Sequence, residues 1–76
     1  MTLDQVPLGG KVKITAIESP SLVLQAMRLG VGPGSVVTVQ RIIGGGPIIV
    51  RRQGGLFAVG RPLAQKMTVS FDCDQQ

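Results

Sequence analysis

Residues 19–34, SPSLVLQAMRLGVGPG, constrain what this chain can fold into more than any other stretch. Ser19 followed by Pro20 has the form of a helix start. The hydroxyl can accept from a free backbone N–H, and proline at the first helical position lacks an N–H that would have no helical partner there. Leu22, Ala26 and Leu29 recur at spacings of four and three, which puts them on one helical face. Gly30 stands where a left-handed C-terminal cap is needed, with Val31 placed to fold back onto the last turn. Pro33-Gly34 fits the centre of a type II turn, since glycine supplies the positive φ. A short helix is expected to end here, reverse and feed a strand. Met27 is assigned to core packing, and Arg28 to a charge that complements the dipole at the helix C-terminus.

On either side of this corner the pattern turns to period two. Val12, Ile14 and Ala16 alternate along a first strand over 11–18, and Ile17 breaks the alternation, which marks a bulge. Val37 and Val39 face inward on a second strand over 35–42, with Thr38 and Gln40 outward. The run Gly44-Gly45-Gly46-Pro47 is the strongest turn signal in the chain, and Pro47 can open a strand but not occupy its middle. Ile48–Arg52 follows as a third strand, inward at Ile48 and Val50, with Arg51 on the other face. Gln53-Gly54-Gly55 is a second tight reversal into a fourth strand over 56–59. Residues 60–65 allow one helical turn with a proline near its start, and Met67–Phe71 alternates as a fifth strand. Before the first strand, a loop or single helical turn packs Leu3 inward. Residues 72–76 form a polar tail.

The expected fold is mainly β: a small five-stranded SH3-like barrel with one short helix between strands 1 and 2 and a helical turn before strand 5. One domain spans 1–76, because 76 residues leave room for a single modest core. Apolar residues make up 43% of the chain but aromatics only 3%, so that core is built from Val, Ile, Leu and Met. Curling such a sheet on itself hides edges that would otherwise aggregate.

Chemistry is scarce. Histidine is absent, which removes the commonest general base and metal ligand. Cys73 is the single cysteine, so it has no internal disulfide partner and no histidine to activate it. Asp72 and Asp74 flank Cys73 and offer a weak hard-cation reading, against which a solvated tail is the plainer account. Gly44 to Pro47 lacks the Lys-Ser/Thr ending of a phosphate loop and joins two strands. No catalytic, cofactor or metal residues are assigned, and no enzyme activity is expected. No secretory signal pattern or apolar span of membrane length is present, which points to the cytoplasm and against direct membrane insertion.

What remains is surface. Eight Lys/Arg against four Asp/Glu give a charge of +4. Such an excess suits either a solvated exterior or nucleic acid. Nucleic-acid binding would want aromatic stacking platforms, and the chain has two phenylalanines, of which at least one reads as buried. A better candidate is a protein contact face. Ile43 and Ile49 fall on the phase opposite to the core, Leu56 lies near them, and Arg41, Arg51 and Arg52 border the glycine loop. These six form the predicted partner-contact set; a second small core under the loop is the alternative. Self-association is compatible with this face and would support a thin core.

The order of motifs resembles a known family. Leu3, Pro7-Leu8-Gly9-Gly10, Ile14 and Ile17 come first, then the helix into Leu29-Gly30-Val31-Gly32-Pro33-Gly34. Val37-x-Val39, Gly46-Pro47-Ile48-x-Val50, Ala58-Val59-Gly60, Leu63-Ala64 and Val69 complete the series. Together they resemble the ferrous iron transport protein A (FeoA) family over nearly the whole chain. Ala26 departs from the leucine usual in that helix. The resemblance implies an SH3-like cytoplasmic accessory protein of a bacterial ferrous iron uptake system. Its implied partner is the membrane permease with a cytosolic GTP-binding domain (FeoB), which it would bind, with regulation as a second expected role. The same domain occurs at the C-terminus of repressors resembling the diphtheria toxin repressor. A start at Met1 with no helix-turn-helix favours the free-standing form over such a regulator-type interaction domain.

Overall fold

The computed structural model describes residues 1–71. Along the chain come a 3-10 turn Leu3–Gln5, β1 Lys11–Ile17, α1 Pro20–Leu29, β2 Val36–Ile42, β3 Ile48–Arg52, β4 Gly55–Val59, α2 Arg61–Ala64 and β5 Met67–Phe71. The strands form one antiparallel sheet in the order β4-β3-β2-β1-β5, bent into a small SH3-like barrel. The polar tail and the Asp72, Cys73 and Asp74 reading lie outside the described residues.

The corner at α1 forms as its residues dictate. The Leu22 N–H donates to Ser19 Oγ at 3.3 Å. At the other end Gly30 adopts φ +83, its N–H meets the Met27 carbonyl at 3.1 Å, and the Val31 N–H meets Ala26 at 2.9 Å. That is a Schellman closure, and it pulls Val31 into the core. The Ser35 N–H then closes the Pro33-Gly34 turn onto the Gly32 carbonyl at 3.1 Å, with Gly34 at φ +95. Ala26 is buried, and Leu22 and Leu29 pack against the core beside it.

Met27 corrects the sequence reading. It lies one residue past the buried stripe and is 61% exposed, as its neighbour on the outer face Leu24 is 52% exposed. A helix of ten residues buries one narrow face, here led by Ala26, and Met27 falls outside it.

The core is aliphatic and fills the barrel from every element. Val12, Ile14, Val37, Val39, Ile48, Val50, Val59, Met67 and Val69 come from the strands, Leu3, Val6, Leu63 and Ala64 from the two short helical turns and their flanks. Ala16, expected inward, is exposed. The β1–β5 register slips between Ile14 and Ala16, so Thr15 is the extra residue and Ile17 returns to the core side opposite Met67. The irregularity anticipated at Ile17 thus sits two residues earlier. Neither phenylalanine is fully buried: Phe57 packs partly against the core, and Phe71 is exposed.

β4 and β5 are the two edges of the sheet and do not pair with each other. α2 lies between them in the chain, and its Leu63 and Ala64 join the core.

Candidate functional site

An open groove of about 610 Å³ runs across the outer face of the sheet, lined by Gln40, Arg41, Ile43, Ile49 and Leu56. Strand alternation explains most of it. Ile48 and Val50 fill the core, so Ile49 points outward; it pairs with Arg41 on one side and Ala58 on the other. Arg51 lies two residues along the same face, opposite Leu56. Leu56 is 60% exposed and Ile43 46%, large fractions for side chains of this size.

Arg41 reaches this face through a defect. With Val37 and Val39 inward, plain alternation would aim Arg41 at the core. The β2–β3 register shifts between Val39 and Arg41, leaving Gln40 as the extra residue. Gln40 and Arg41 therefore both face outward, and a guanidinium that would be costly to bury stands at the groove rim instead. Bulges serve to re-aim side chains in this way, and the sequence hint was a charged residue on the core phase.

Of the six residues expected at a contact face, Arg41, Ile43, Ile49 and Leu56 line the groove and Arg51 borders it. Arg52 does not join them. It is one residue further along β3, on the other face, and its Nη1 donates to the Gln53 side chain at 3.4 Å.

Arg61 is a residue that sequence reasoning misses. Its Nε donates to the Gly46 carbonyl at 3.1 Å and its Nη2 to the Gly44 carbonyl at 2.6 Å. The guanidinium fork so ties α2 to the glycine loop that follows Ile43, a groove-lining residue. Nothing local links Arg61 to residues fifteen and seventeen positions earlier.

The electrostatics of the face are one-sided. β2, β3, β4 and the loops joining them carry Arg41, Arg51 and Arg52 and no carboxylate. Among the described residues the acids are elsewhere: Asp4 accepts from the Thr2 hydroxyl in the first turn, and Glu18 meets Lys66 at 3.1 Å beyond β1. No group of three or more His, Cys, Asp or Glu side chains among the described residues comes together as a metal site. Among the described residues no helix is long and apolar enough to cross a membrane.

A family model, the FeoA domain, matches residues 1–70. This chain belongs to the FeoA family. A solution structure of a FeoA protein from Chlorobium tepidum is similar over the whole chain and 74% of its own, at 27% identity and a TM-score of 0.84. A crystal structure of an iron uptake regulatory protein (FeoA) matches 91% of this chain and 92% of its own, at 28% identity and a TM-score of 0.80. A FeoA-like protein from Clostridium acetobutylicum shares the fold at 23% identity and a TM-score of 0.82, covering 100% of this chain and 91% of its own. No curated protein matches the sequence. Membership agrees with the barrel, the helix corner and the motif order that resembled the family at the outset.

Proposed function

We propose that this chain is a cytoplasmic accessory protein of ferrous iron uptake that works by docking. Family membership supports the iron-uptake role. The partner we assign is the GTP-binding domain of the membrane iron permease (FeoB), held at the outer groove. The observation that carries this reading is the groove itself: an apolar floor of Ile43, Ile49 and Leu56 with Arg41 at its rim, Arg51 beside it and no carboxylate on those strands. Such a surface fits a segment that offers one or two aliphatic side chains flanked by Asp or Glu. Apolar contact supplies the affinity, and charge complementarity sets orientation and on-rate.

The test is calorimetric titration of the soluble GTP-binding domain with wild type, Arg41→Glu and Arg51→Glu. Binding that weakens in both variants, and weakens in wild type as salt rises, supports the docking face. Equal affinity for all three proteins removes this face from the contact. Repeating the titration with Arg52→Glu gives the internal contrast, since that side chain stands on the other face and should change affinity little.

A further inference from the structure

The two-residue loop Gln53-Gly54, with both residues at positive φ, closes the β3–β4 hairpin at the pair Arg52 and Gly55. In such a hairpin the closing pair is hydrogen-bonded, and hydrogen-bonded pairs then alternate along the ladder. Val50 with Phe57 and Ile48 with Val59 follow as bonded pairs. The N–H and C=O groups of Leu56 and Ala58 therefore point away from β3, to a side where no strand among the described residues pairs. Both residues are exposed.

This edge carries none of the usual protection. Gly55–Val59 reads GLFAV, with no charge, no proline and no bulge. The opposite edge is covered: the Val69 N–H donates to the Met1 carbonyl at 2.9 Å, and Thr2 bridges to Thr68. Among the described residues, only the β4 edge is left as a template.

We propose that β4 pairs antiparallel with β4 of a second copy of this chain, about a two-fold axis through Phe57. The register follows from the free groups. Leu56 of each copy stands opposite Ala58 of the other, and these two pairs use every outward N–H and C=O of the strand centre. Gly55 then faces Val59, so no like charges meet within the paired strands. The two Phe57 rings flank the axis on the inner face, and the two Leu56 side chains extend the outer apolar strip across it. Closure about the axis consumes the open edge, and the covered β5 edge stops further addition, so the product is a dimer. This surface is separate from the charges that the docking proposal reads, because Arg41 and Arg51 lie on β2 and β3.

Sedimentation equilibrium from about 10 μM to about 1 mM tests the pairing, with circular dichroism to verify folding. Wild type is expected to show a monomer–dimer equilibrium in that range. Ala58→Pro removes an edge N–H, and Ala58→Glu puts a carboxylate in the apolar strip; each should raise the dimer dissociation constant about tenfold or more. The double variant L56K/A58E sets each introduced ammonium opposite the other copy's introduced carboxylate and should restore association. Should A58P fail to fold, A58E and amide exchange in wild type decide. Exchange at Leu56 and Ala58 should slow with concentration while that at Phe57 does not. A protein that stays monomeric throughout, or a dimer that A58E leaves unchanged, overturns the proposal. Arg41→Glu should leave the dimer intact, so loss of permease binding and loss of pairing are separable.

Discussion

At the β5 edge the chain lays its own first residues along the strand, so that Met1 and Thr2 take up its backbone groups. At the β4 edge no described segment does the same, and Leu56 and Ala58 keep theirs. The cover over β5 costs the chain a 3-10 turn, anchored by a fully buried Leu3 and by a side-chain cap in which the Thr2 N–H donates to Gln5 at 2.9 Å. An uncharged edge left open beside an apolar groove is the opposite treatment on the same sheet. A small barrel still offers selective surface, and its two edges offer it unequally.

The comparison can be broken most forcefully at Leu3. Leu3→Ala empties the anchor of the β5 cover and should cost about 2–5 kcal/mol by urea unfolding, a large share of the stability of a chain this small. The Val69 amide should lose protection in the same variant. Gly10→Ala comes next. A Cβ there would stand 2.5 Å from Val6 Cγ1, 3.1 Å from the Pro7 carbonyl oxygen and 3.4 Å from Phe71 on β5. Backbone on one side and a buried valine on the other leave little room to shift, so a loss of about 1–3 kcal/mol is expected from the same unfolding curves.

On the other side of the molecule, Arg61→Met removes both donors from the glycine loop. Its effect on unfolding should be near 1 kcal/mol, since the guanidinium is only half-buried. The sharper readout is local: faster amide exchange at Gly46 and weaker docking at the groove, with β5 undisturbed. Gln53→Asn should sharpen the β4 side instead. Gln53 sits at φ +53, a conformation asparagine adopts more readily, so a gain of about 0.5 kcal/mol is expected. Smallest of all is Glu18→Gln, which breaks an exposed ion pair with Lys66 and should leave the thermal midpoint unchanged within error.

What could be read from the residues alone was what depends on near neighbours. Ser19-Pro20, Gly30-Val31 and Pro33-Gly34 each have a conformation set within a few residues, and all three appear as expected. Ile49 and Leu56 were legible as outward because Ile48, Val50 and Val59 leave them no other face. Ala16 and Arg41 were harder, since a bulge is an agreement between two strands and neither strand announces it alone. Met27 falls outside the core because periodicity gives the axis of a helical stripe but not its width, which the neighbouring elements decide. Arg61 was invisible for the same reason: its acceptors are carbonyls that any sequence supplies, brought near by the fold. Arg52 borders the same loop as Arg51 but leaves the face, because adjacent strand residues face apart.

The most direct test of the contrast is amide hydrogen exchange on dilute wild-type protein, where the monomer prevails. Val69 should exchange slowly, held by the Met1 carbonyl, while Leu56 and Ala58 exchange near the rate of an open chain and Phe57 between them stays protected. Equal protection at Val69, Leu56 and Ala58 would mean that both edges are covered alike, and would contradict the account.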